Sequence, residues 1–118
     1  MNAILINSTE KSVTVVEYDG KLKTAYRMLD TDCIKIAHFD NSGDAIFIDD
    51  DWIQNGKVNC FSIRGYPSPI IGNGLLVGPE NVDGVGIDPK TSIYWVMDNI
   101  LFMDLSTVAI LQDLKVEL

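Results

Sequence analysis

At 118 residues, with an apolar fraction of 47%, the chain has material for one hydrophobic core and needs neither a metal nor a disulfide to hold it. Its formal charge of −8 and its nine Lys and Arg residues argue against direct nucleic-acid binding, which relies on clustered cations to neutralise phosphates. No apolar run approaches the roughly 20 residues that span a bilayer. The opening Met1-Asn2-Ala3-Ile4-Leu5-Ile6-Asn7 lacks the basic start and full apolar stretch of an export signal, so a cytoplasmic protein with no membrane partner is expected.

Residues 3–7 form the first expected strand and the β-branched residues 12–18 the second, joined by the polar turn Ser8-Thr9-Glu10-Lys11. From Lys21 the period changes. Leu22, Ala25, Tyr26 and Leu29 fall at i, i+3, i+4 and i+7, one face of a short helix, with Asp19 or Gly20 as its N-cap. Residues 34–39 alternate apolar and polar as a half-buried strand does, and Asp40-Asn41-Ser42-Gly43-Asp44 turns the chain into a partner strand over 45–48. A further strand is expected over 58–63, and Leu75-Leu76-Val77 pairs in the sheet. Asp88-Pro89 reads as an N-cap with proline at the first helical position, followed by Ile93, Val96, Met97 and Ile100 at helical spacing. Leu101-Phe102-Met103 closes the pattern as a strand.

The expected fold is therefore α+β: a small, mainly antiparallel sheet of about five to seven strands with two short helices. It is one domain over residues 1–118, with a core over 3–104 and a C-terminal extension over 105–118. That extension fits a helix burying Val108, Leu111 and Leu114 or an extended segment equally well, and its apolar residues would favour a homodimer.

Chemistry has few places to reside. His38 is the sole histidine and fits a half-exposed strand position, so general-base and triad mechanisms would all have to use it. Cys33 and Cys60 sit in separate apolar segments without ligand-like spacing and read as reduced core residues. A structural zinc site needs about four Cys or His ligands, more than the chain holds. The Asp40–Asp44 turn lacks the spaced oxygens and distal Glu of a calcium loop. Gly72-Asn73-Gly74 is followed by a strand instead of a helix start, so it does not cradle phosphate. No catalytic residue, metal or cofactor is expected.

Two segments remain as binding candidates. Residues 30–51 hold seven acids and one base, −6 of the total −8. If the strands pair as described, Asp40, Asp44, Asp49, Asp50 and Asp51 gather at the ends of one hairpin, as an acidic surface suited to a basic protein partner. Residues 64–78, rich in Pro and Gly, offer Arg64, Tyr66, Pro67, Pro69 and Asn73 as a loop that could hold a small ligand such as a nucleotide signal.

Along residues 3–104 the chain resembles a family of short uncharacterised bacteriophage and mobile-element proteins, a domain of unknown function. The resemblance rests on the N-terminal hairpin, the helix near Leu22–Leu29 and the acidic hairpin over 34–48. It continues through Tyr66-Pro67-Ser68-Pro69-Ile70 running into Gly74-Leu75-Leu76-Val77-Gly78, and a late helix leading into Phe102. It implies context alone, a phage or plasmid accessory protein in a bacterial cytoplasm; the function expected from the residues is non-enzymatic binding that inhibits a host or defence protein through the acidic surface, with a small-ligand binder using residues 64–78 as the alternative. The resemblance assigns no functional residue.

Overall fold

The computed structural model describes residues 1–38, 43–79 and 86–106. Eight strands and two helices follow in the order β1 (Asn2–Asn7), β2 (Ser12–Glu17), α1 (Leu22–Leu29), β3 (Ile34–His38), β4 (Ala45–Asp49), β5 (Asn59–Ile63), β6 (Ile70–Ile71), β7 (Gly74–Val77), α2 (Ile93–Asp98) and β8 (Ile100–Asp104). The α+β class is as expected, and the strand pairings are antiparallel. The strands divide between two sheets: five in the order β2-β1-β7-β4-β3, and three in the order β6-β5-β8.

The period-two pattern explains the layers. On β1, β4 and β7, one set of side chains (Ile4, Ile6, Ile46, Ile48 and Leu76) meets Phe61 and Ile63 of the small sheet, with Val96 of α2, in a core between the sheets. The alternate set (Ala3, Ala45, Leu75 and Val77) meets Tyr18, Ala25 and Leu29 beneath α1. The large sheet is thus sandwiched between the small sheet with α2 on one face and α1 on the other.

The chain changes sheets at three places: between β4 and β5, between β6 and β7, and between β7 and β8 by way of α2. Between β6 and β7 it passes through Gly72-Asn73, where Gly72 has φ +89°, a left-handed conformation that costs glycine nothing. The Gly72 N–H donates to the Asn59 carbonyl at 2.8 Å, and Asn73 Oδ1 accepts from the Ser8 N–H at 3.0 Å. Gly74 follows because the large sheet passes close to Phe61: a Cβ there would lie 2.7 Å from the ring. Between β4 and β5 the turn over residues 50–56 is organised by Asp49.

Several local expectations change. Leu22 is 52% exposed, so α1 buries Ala25 and Leu29 but not its first turn. Lys21 occupies the N-cap position, and the Asp19 carboxylate serves the helix start from two residues upstream. It accepts from the Lys21 N–H at 2.9 Å and from the Thr24 hydroxyl at 2.7 Å. At the other end Asp30 caps in the left-handed conformation, and Lys57 Nζ donates to the Leu29 and Asp30 carbonyls, both at 3.1 Å, placing a cation on the negative end of the helix.

The second helix does not begin at Asp88-Pro89. Asp88 Oδ1 instead accepts from the Asn2 N–H at 2.7 Å, and the Lys90 and Thr91 N–H groups are bound by Asp44. The helix starts four residues later, where Ser92 Oγ accepts from the Trp95 N–H at 3.1 Å. Ile100 belongs to β8. Cys33 is exposed and only Cys60 is a core residue; both thiols are free. Phe39, most of the Gly-rich loop over 80–87 and the tail from residue 107 lie outside the described residues. Among the described residues no helix is long and apolar enough to cross a membrane.

Candidate functional site

The five expected acidic-surface residues do not form one surface. Asp44 is 0% exposed and Asp49 is 2% exposed, which corrects their reading as surface groups. Asp44 receives the Lys90 N–H at 3.1 Å, the Thr91 N–H at 2.8 Å and the Thr91 hydroxyl at 2.6 Å, fixing the turn that leads into α2. Asp49 receives the Asp51 N–H at 2.8 Å, the Thr31 hydroxyl at 2.8 Å and the Asn55 amide at 3.0 Å, with Lys57 Nζ at 3.9 Å. A buried carboxylate is tolerated only when such donors replace water. Asp40 lies outside the described residues. Asp50 is exposed and Asp51 half-buried.

Of the acid-rich stretch over 30–51, Asp32, Asp50 and Asp51 remain near the surface around Cys33. Partial desolvation and then the carboxylates of Asp50, Asp51, Asp32 and Asp49 push its thiol above the ordinary value. Cys60 is also pushed up, by burial first and then by Asp104. A thiolate nucleophile needs the opposite shift.

The Pro- and Gly-rich segment is a tight connection between β5 and β6. Its Arg64 N–H donates to the Asn99 carbonyl at 3.0 Å and its Tyr66 N–H to the Ile63 carbonyl at 3.1 Å. Tyr66 packs against the core between the sheets, while Arg64 and Pro67 are exposed and Pro69 is half-buried. None of these four lines the cleft described below or a smaller cavity of about 310 Å³, which Asn73 does line. That small cavity is a polar seam in which Asn73 and Lys57 already serve Ser8 and the end of α1.

The larger cavity, of about 830 Å³, is a cleft that the sequence reading did not single out. Its origin is a mismatch of widths. One helix is about 10–12 Å across, whereas five strands spaced about 4.8 Å apart span about 19 Å. α1 packs on β7 and β4, and toward the β3 edge the face is exposed at Ile36. Ile36, 55% exposed, and His38 contribute from β3, Ala45 and Phe47 from β4, and Val77 from β7. Glu17, Tyr18, Asp19, Gly20, Gly43, Gly78, Pro79 and Gly86 complete the lining, and the Met1 side chain lies against both Gly20 and Gly86. The Tyr18 and Phe47 rings meet edge to face, 6.4 Å between centroids and at 85°, which braces the floor where the helix stops.

The cleft's electrostatics are one-sided. No Lys or Arg lines it among the described residues. The Lys21 N–H and then the Thr24 hydroxyl hold the Asp19 carboxyl below its ordinary value, keeping it ionised. The sequence signal for this site was present but weak: Ile34, Ile36 and His38 share a strand face opposite Asp49, Phe47 and Ala45, and nothing local says that the helix packs mainly on β7 and β4. No group of three or more potential metal ligands occurs among the described residues.

Comparison of the chain with family models, with curated proteins and with solved structures yields no match.

Proposed function

We propose that this protein acts by binding, and that its site is the cleft on the α1 side of the large sheet, which takes a small ligand. The observation that carries this reading is the largely apolar floor of exposed Ile36, half-buried Phe47 and the edge of buried Val77 within a concavity of about 830 Å³. Concave, mainly apolar sites with a few polar groups at the rim are the common form of small-molecule pockets, about 300–1,000 Å³ in volume. Binding is favoured over thiolate chemistry because burial and neighbouring carboxylates raise both thiols above their ordinary value. The resemblance to phage and mobile-element proteins supports an accessory role in a bacterial cytoplasm.

A fragment collection followed by amide NMR tests the site. Hits should shift the amides of Ile36, Phe47 and Val77 and should lose affinity in Ile36→Trp, which narrows the cleft from an exposed position. Hits that leave these amides unmoved would refute the assignment.

A second reading, contact with a basic protein surface, is favoured by one observation: Asp32, Asp50 and Asp51 all act on the exposed Cys33, so negative potential is concentrated there. Under that reading a host or defence protein captured by the wild type would be lost from Asp50→Lys/Asp51→Lys. Undiminished capture would remove it.

A further inference from the structure

The cleft's lining discriminates between classes of ligand. Two carboxylates, Glu17 and Asp19, line it where β2 leads into α1, and no side-chain guanidinium or ammonium lines the cleft among the described residues. The start of α1, where partial positive charge would favour an anion, is already served by Asp19. Other polar groups of the lining include the His38 imidazole and the Met1 amino group. The latter is itself held at the rim by the Tyr18 carbonyl at 3.2 Å and Glu17 Oε1 at 3.5 Å. The Lys21 ammonium, which acts on Asp19, lies outside the cleft lining, so no Lys or Arg side chain of the described residues neutralises these carboxylates from within the cleft.

Resting on the ligand-site reading above, we infer that the cleft selects a small organic cation with an apolar body, such as an arylalkyl ammonium, over neutral and anionic ligands, phosphorylated ones included. The apolar body lies against Ile36, Phe47 and Val77, and the cationic end turns toward Glu17 and Asp19. Phosphate recognition draws on Lys, Arg or free helix-start N–H groups, and this cleft offers none of them among the described residues. Nucleotides are thereby disfavoured, in contrast to the expectation attached to residues 64–78.

Three probes of similar size separate the outcomes: 2-phenylethylammonium, 2-phenylethanol and 3-phenylpropanoate, titrated at low salt and followed by amide NMR. A carboxylate near a cation in a largely aqueous setting is worth about fivefold in affinity. The ammonium should bind at least fivefold more tightly than the alcohol, and the carboxylate most weakly. Glu17→Gln and Asp19→Asn should each shrink the preference several-fold, and Ile36→Lys should reverse it. Glu17 is exposed, so Glu17→Gln keeps the test valid if Asp19→Asn disturbs α1.

If the alcohol or carboxylate binds as tightly at Ile36, Phe47 and Val77, the inference is wrong while the cleft remains a ligand site. If no probe moves those amides, both the inference and the reading beneath it fall.

Discussion

Asp44 and Asp49 bracket the interior strand β4, and both carboxylates are buried and hydrogen-bonded, one to the turn before α2 and the other to the turn before β5. They tether the ends of one strand to the two connections that carry the chain from the large sheet into the small one. Acids that resemble surface charge in the sequence are thus interior fasteners.

Removing such a fastener should destabilise far more than removing its exposed neighbour. Asp44→Ala strands the Lys90 and Thr91 N–H groups and should cost about 2–3 kcal/mol. Asp49→Ala should cost a similar amount, since Thr31, Asn55 and Asp51 lose a shared acceptor. Asp50→Ala should stay within about 0.5 kcal/mol of the wild type. Urea denaturation of the three variants checks the ordering, and equal costs would contradict it.

Gly74 is required by the approach of Phe61. Gly74→Ala places a methyl 2.7 Å from the Phe61 ring, which is fully buried and has little room to yield. The expected cost is about 1–3 kcal/mol. Phe61→Leu, itself destabilising, should recover part of that cost in the double variant. A double-mutant cycle without coupling would show that the two residues do not meet.

Cys33 should react slowly for an exposed thiol, because the surrounding carboxylates oppose its thiolate. Asp50→Asn/Asp51→Asn should accelerate its alkylation at pH 8, measured by mass spectrometry. An unchanged rate would mean that these charges do not reach the sulfur.

The pH dependence of stability follows from the same shifts. Both thiols ionise above their ordinary 9.0 in the folded chain, so the unfolded chain releases its protons first. Stability should therefore fall as pH rises past 9.0, and Cys33→Ser should remove part of that fall. Asp19 has the opposite sign on the acid side. Its folded value is lowered below 3.8, so its contribution is present above 3.8 and lost as pH falls through the lower folded value. In Asp19→Asn the acid limb of a melting-temperature profile should flatten.

Much of the fold was legible from local pattern. The period of 3.6 over Leu22, Ala25 and Leu29 located α1, and the turn formers around Gly43 located the β3–β4 hairpin. What escaped was set by distant residues. The expected cap at Asp88 was overridden because Asp44 holds the next turn in another shape, a contact across 47 positions to Thr91. The two-residue β6 is too short for a period, and the exchange between sheets at Gly72-Asn73 depends on Asn59 and Ser8. Sequence offers no direct sign of whether an Asp at a strand end is solvated or buried; the spacing of Asp49 and Asn55 around a turn was the nearest hint. The cleft was missed for the same reason, since it is defined by a face that α1 fails to cover.

The most direct test of the cleft as the working site is a crystallographic fragment screen of the protein. The account expects bound fragments to concentrate against Ile36, Phe47 and Val77, with amines oriented toward Glu17 and Asp19. Fragments that gather elsewhere while this cleft stays empty would contradict it.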